Sequence, residues 1–176
     1  MKKICMITTT SLTMKSFVVE TAKYLYNTCG YDITLICDTD DAFAKSLPDY
    51  LHYIPVPMSR GVNLSGFFSI GHLQRIFRKE KFDMVQYSTP NASFYASIAA
   101  KRERIPVRLY CQWGIRYVGL NGLSRIIFKN LEKAVCKNST HIRSASNLNM
   151  HLPSVRAFIV TIKRLSLEMV VQLELI

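Results

Sequence analysis

Three stretches of the chain gather side chains able to hold a polar ligand. Ser88-Thr89-Pro90-Asn91 follows directly on the short run Met84-Val85-Gln86-Tyr87 and feeds a small-residue segment containing Ala92, Ala96, Ala99 and Ala100. Hydroxyl and amide groups at the carboxyl end of a strand are how open α/β sheets present ligand loops. The same residues also suit an ordinary turn in which Thr89 or Asn91 only caps a helix. In the second stretch, Tyr110-Cys111-Gln112-Trp113-Gly114-Ile115-Arg116-Tyr117-Val118-Gly119, the chain's one tryptophan stands beside Gln112, Gly114 and Arg116. A flat aromatic with polar donors suits a sugar ring, and a guanidinium suits phosphate or carboxylate. The alternative is that Trp113 fills the core and Arg116 is solvated. The third stretch is the polar loop Thr8-Thr9-Thr10-Ser11-Leu12-Thr13, just ahead of Lys15.

Several chemistries lack their motifs. No GxGxxG follows the first apolar run, so a dinucleotide cofactor is not supported, and no cofactor is expected. There is no GxxxxGK[ST], GxSxG or HExxH. His52, His72, His141 and His151 lie in separate segments without ligand spacing. His72 and His141 are expected to be surface or packing residues. The five cysteines, at 5, 29, 37, 111 and 136, form no CxxC pair. A metal site is therefore not expected, and Cys5, Cys37 and Cys111 read as small core residues in a reducing cytoplasm.

The elements that must carry these loops alternate along the chain. Strands are expected over residues 4–8, 33–37, 51–56, 84–87, 107–111 and 141–145. Helices are expected over 14–28, 40–45, 67–79, 92–101 and 123–135. Phe17, Val18, Ala22, Leu25 and Tyr26 lie near one face of the first helix, which Gly30 closes, and Phe68, Leu73, Ile76 and Phe77 mark the third. Strand–helix alternation at this spacing argues for right-handed βαβ units: an α/β fold with a doubly wound, mostly parallel sheet. The carboxyl ends of its strands would form one rim, made of residues 8–15, 38–40, 88–91, 112–119 and 143–146.

The 176 residues suit one domain or slightly more, and 49% hydrophobic against 20% charged residues suits a packed core. The net charge of +11 suits an anionic partner, although scattered surface lysines would give the same balance. The basic helix around residues 74–81 is a candidate for resting on an anionic membrane surface, its alternative being a solvated face. No RNA- or DNA-binding motif accompanies the charge, and nucleic acid is not an expected partner. The amino-terminal apolar run reaches Thr8 too soon for a signal-peptide core. No segment approaches the ~20 apolar residues of a bilayer span. A cytoplasmic location is expected, with any membrane contact peripheral, on the inner face of the plasma membrane.

The element order, the strand–Ser-Thr-Pro-Asn-Ala–helix segment ending in Ala-Ala-Lys, and Gln-Trp-Gly-Ile-Arg-Tyr-Val-Gly together resemble the N-terminal half of a family-4 glycosyltransferase. The resemblance is to bacterial enzymes that assemble capsular or other surface polysaccharides on a lipid carrier, and it covers residues 2–146. It implies a GT-B architecture of two Rossmann-like domains, the N-terminal one binding a lipid-linked saccharide acceptor and the other a nucleotide-sugar donor. On this resemblance Thr10, Ser11 and Lys15 sit on the first rim loop, and Ser88, Thr89 and Asn91 on the central one. Gln112, Trp113 and Arg116 stand beside them, and all nine are expected acceptor contacts. Many members carry His-Gly where this chain has Trp113-Gly114, so a role for that histidine does not carry over. The family's paired-glutamate donor motif has no counterpart either. The chain alone is thus expected to be inactive, with no catalytic residue assigned.

Residues 1–146 are expected to form the Rossmann-like domain and 147–176 an irregular tail. Synonymous codons for Arg164 to Ile176 allow a displaced frame reading V-I-V-G-N-G-G-T-I-G-V-D, which resembles the glycine-rich opening of the family's second domain. A frameshift near 146–153 is the resulting expectation, and coding DNA incompatible with that frame would remove it. A non-enzymatic binding module, or one subunit of a split glycosyltransferase, is the competing reading.

Overall fold

The computed structural model describes residues 1–58 and 65–144. The expected tail over 147–176, the displaced frame and the last rim residues, 145 and 146, lie outside the described residues. Six strands alternate with six helices: β1 (Lys3–Ile7), α1 (Ser11–Phe17), α2 (Val19–Cys29), β2 (Asp32–Cys37), α3 (Asp41–Ser46), β3 (Leu51–Pro55), α4 (Ser65–Glu80), β4 (Met84–Tyr87), α5 (Pro90–Arg102), β5 (Val107–Gln112), α6 (Gly122–Asn138) and β6 (His141–Ser144). A 3₁₀ turn, Arg116–Gly119, joins β5 to α6.

The strands form one all-parallel sheet in the order β3-β2-β1-β4-β5-β6. This is a Rossmann-like arrangement, as the strand–helix alternation led us to expect. Strand order reverses between β1 and β4, the point at which such sheets open a crevice at their carboxyl ends. The register aligns Ile36, Ile7, Tyr87, Tyr110 and Ile142 in one row across five strands. The loops after β1, β4 and β5 therefore leave the sheet side by side.

Alternation along each strand sends successive side chains to opposite faces. Cys5, Ile7, Ile36, Val85 and Tyr87 pack with Leu73 and Phe77 of α4, the alanines of α5, and Val135 and Cys136 of α6. Ile4, Met6, Ile33, Leu35 and Leu109 pack with Met14, Val18, Ala22 and Leu25 of α1 and α2 and with Phe43 of α3. Covering both faces explains why β1 is apolar without a break from Ile4 to Ile7. In α5, Ala92, Ala96, Ala99 and Ala100 are fully buried, so the helix backbone lies close over the sheet.

Two details of the helices differ from expectation. The single helix expected over 14–28 is two, because Thr10 caps an earlier start at Ser11 and the chain kinks at Val18 (φ −119°). The kink keeps Val18 and Val19 on the sheet and turns Phe17 outward, where it is 65% exposed instead of on the buried face. Phe68 of α4 likewise stands 80% exposed, since Leu73 and Phe77 supply that helix's inner stripe. Gly30 ends α2 in the left-handed region (φ 65°), with its N–H and that of Tyr31 returning to Tyr26 and Leu25 carbonyls.

Candidate functional site

At the β1/β4 crevice the loops are tied together by threonines. The Thr9 N–H donates to Thr89 Oγ1 at 3.1 Å, and the two hydroxyls share a hydrogen bond of 2.8 Å. Thr89 itself has φ 68° and ψ 139°, a conformation a β-branched residue rarely adopts. Holding it there costs roughly 1–3 kcal/mol. Strain of this kind persists only where neighbours over-determine it, and the Thr9 clasp is one such restraint. Pro90 then starts α5 with its fixed φ, at a position where no N–H is required.

Next to the clasp lies a cleft of about 410 Å³, lined by Thr89, Pro90, Tyr110, Cys111, Trp113, Gly114, Ile115 and Arg116. Trp113 is 37% exposed and tilts against Phe17, ring centroids 5.2 Å apart. Trp113 therefore does not fill the core: it stands in the wall of the cleft, partly exposed. Arg116 is exposed on the 3₁₀ turn and lies 4.6 Å over the Phe128 ring. Burial pushes the Cys111 thiol up to about 12, so it stays protonated near neutrality and supplies no nucleophile.

Beneath this cleft runs a buried polar network. Tyr110 Oη and Gln112 Nε2 both donate to Glu132 Oε1 of α6, at 2.9 Å and 2.5 Å. Burial holds the Glu132 carboxyl above its ordinary value, and the two donors pull it partly back. The Tyr110 hydroxyl is pushed up by burial first and by Glu132 second. Gln112 is fully buried, and its side chain points to α6 and not to the rim.

The remaining expected residues are dispersed. Ser11 donates its N–H to Asp38 Oδ1 and its hydroxyl to Asp40 Oδ2, both at 2.7 Å. Asp40 in turn caps α3; the Phe43 N–H first and the Ser11 hydroxyl second hold its carboxyl below the usual range. Ser11 and Lys15 line a second, smaller hollow of about 220 Å³ with Leu12, Asp40, Ala42, Phe43 and Ser46. Thr10 commits its hydroxyl to the α1 cap, bonding Thr13 Oγ1 at 2.9 Å. Asn91 bonds the Tyr95 hydroxyl. Ser88 is fully buried, its Oγ without a hydrogen-bond partner among the described residues. Thus Thr89, Trp113 and Arg116 meet in one cleft, Ser11 and Lys15 in another, and Gln112 and Ser88 are interior.

Sequence reasoning names Thr9 only as part of its polar loop and Phe17 only as a helix-face residue, and it passes over Glu132. Glu132 carried a signal: it is the single acid on a helix that otherwise bears Arg125, Lys129, Lys133 and Lys137. Among the described residues no cluster of His, Cys, Asp or Glu could hold a metal ion, and no helix is long and apolar enough to cross a membrane.

Compared with known protein families, residues 3–146 match the one described as "Glycosyl transferase 4-like". The chain belongs to this family. A comparison with curated proteins found no match. Among solved structures, the glycosyl transferase 4-like domain resembles the S. aureus MnaA–UDP co-structure at 17% identity and TM-score 0.63, over 92% of this chain and 40% of that one. It also resembles UDP-GlcNAc 2-epimerase from Methanocaldococcus jannaschii (16%, TM-score 0.60, 89% and 42%) and Acinetobacter baumannii MurG (12%, TM-score 0.60, 88% and 43%). At these identities the likeness is one of fold. The domain spans about two fifths of the length of each, which corresponds to one half of a GT-B architecture.

Proposed function

We propose that the domain is the acceptor-side lobe of a glycosyltransferase that moves a sugar from a nucleotide-sugar to a lipid-linked saccharide in surface polysaccharide assembly. One observation carries this reading: the 410 Å³ cleft gathers an indole face, a threonine and a guanidinium around a single space at the carboxyl rim. The indole suits the apolar face of a pyranose, Thr89 suits its hydroxyls, and Arg116 suits an anionic group such as a carrier diphosphate. A lobe of this kind works by holding the acceptor hydroxyl in position, so that attack on the anomeric carbon becomes effectively unimolecular. Transfer joins the acceptor oxygen to that carbon and releases the nucleoside diphosphate, whose charge preorganised donors stabilise. We assign the nucleotide-sugar to a second lobe, carried on the same polypeptide or on a partner chain.

Trp113 is the chain's one tryptophan, so its emission reports on the cleft directly. Titrating the full chain with a short polyprenyl-diphosphate saccharide is expected to change that emission saturably. Arg116→Ala is expected to weaken the response without altering the far-ultraviolet dichroism. A flat titration at millimolar saccharide would overturn the reading.

A further inference from the structure

Beside the mouth of the cleft, large apolar side chains stand in water. Val118 is 58% exposed, Leu123 72%, Ile126 58% and Ile127 42%. All residues from 121 to 127 are exposed, so the first turns of α6 project from the body of the domain. At 100° per residue, Leu123, Ile126 and Ile127 lie opposite the buried Glu132, Val135 and Cys136. A cluster of this kind on a domain surface marks an interaction site.

Its charge says what covers it. Arg116, Arg125, Lys129, Lys133 and Lys137 are all exposed; by helical angle Lys133 and Lys137 flank the stripe on one side and Lys129 and Arg125 lie further round, while the single acid of α6, Glu132, is turned into the core. The solvent side of the helix therefore carries cations and no carboxylate. Long basic side chains beside an apolar stripe let the stripe enter hydrocarbon while their heads stay at the phosphate level. A second copy of the chain would bring another +11 against this face.

The basic helix that sequence offers as one candidate, its alternative being a solvated face, has fewer uncommitted cations. In α4, Arg78 is committed to Glu103 at 2.8 Å and Lys79 lies 3.8 Å from Glu80.

We propose that the stripe formed by Val118, Leu123, Ile126 and Ile127, with its flanking cations, docks the domain on an anionic bilayer. Docking there sets the neighbouring cleft at headgroup level, where a lipid-linked saccharide is presented without leaving the membrane. This second step rests on the proposed acceptor role; the docking itself does not.

Flotation of the full chain with vesicles of phosphatidylglycerol and phosphatidylcholine tests it. Binding is expected to the mixed vesicles, to fall with salt, and to be weak on phosphatidylcholine alone. Reversing Lys129→Glu and Lys133→Glu together is expected to lower partitioning by about tenfold or more. Leu123→Glu with Ile126→Glu is expected to abolish it, and Lys79→Glu in α4 to leave it nearly unchanged. Equal binding to neutral and anionic vesicles, or α6 variants that bind like the parent, would overturn the proposal. So would self-association abolished by Ile126→Glu without vesicle binding by the parent, which would assign the stripe to a second copy. Vesicle binding by a chain whose Trp113 ignores saccharide would instead sink the acceptor reading and leave docking standing.

Discussion

Thr9 and Thr89, 80 positions apart, close the crevice between β1 and β4 through two hydrogen bonds to one oxygen, at 3.1 Å and 2.8 Å. Thr89 carries a conformational cost at φ 68°, and the clasp offsets part of it. Thr9→Val is expected to lower unfolding free energy by about 1–2 kcal/mol, read from urea denaturation. Thr89→Gly removes the strain along with the bonds, so it is expected to be milder than Thr89→Val, which removes the bonds alone. A Thr89→Val chain as stable as Thr89→Gly would show that the backbone there is unstrained.

The pairing of Phe17 with Trp113 predicts a spectroscopic effect larger than a thermodynamic one. Both rings are partly in solvent, so Phe17→Ala is expected to cost about 1 kcal/mol or less. Trp113 emission should nevertheless move to the red as its neighbour is replaced by water. An unchanged spectrum would mean the two rings do not meet in solution.

Glu132 predicts a pH dependence. Its folded-state pKa is raised above the ordinary 4.5. A raised value means that the folded chain holds the proton more tightly than the unfolded one. The associated stability is complete below about 4.5 and is lost as pH rises through the folded value. The Glu132→Gln variant cannot ionise at this position, so the parent is expected to lose stability relative to it as pH is raised from 4.5 toward neutrality. Glu132→Leu leaves Tyr110 Oη and Gln112 Nε2 buried without an acceptor, at about 1–3 kcal/mol each. Thermal melts across that range check both; a stability difference between the parent and Glu132→Gln that does not vary with pH would contradict the first.

Ser88 offers the opposite case. Its buried hydroxyl has no hydrogen-bond partner among the described residues, so Ser88→Ala removes a desolvated polar group and little else. Unfolding free energy is expected to stay level or rise by up to about 1 kcal/mol. A clear loss in calorimetry would reveal a partner for that oxygen.

How much of this is legible in the sequence depends on the range of the interaction. Met84 to Tyr87 reads with its observed bounds because a short run bracketed by Asp83 and Ser88 has few other options. Gly30 is identifiable as a helix end because one residue's conformational freedom settles it. Strand–helix alternation points to the α/β class, whereas nothing local announces that β1 lies between β2 and β4. Phe17 looks like core by helical spacing, and only the kink at Val18 turns it to Trp113. Gln112 looks like a rim donor because its partner, Glu132, lies 20 residues on, on a different element. The 3₁₀ turn that carries Arg116 leaves no period to read in its four residues.

The central place of β1 in the sheet also governs how the chain is made. Its partner row on one side, ending in the pair Ile7 and Tyr87, is 80 residues downstream. At ordinary ribosomal speeds that interval lasts on the order of ten seconds. Until then a nascent strand of Ile, Cys and Met has an open edge, a template on which another chain can pair.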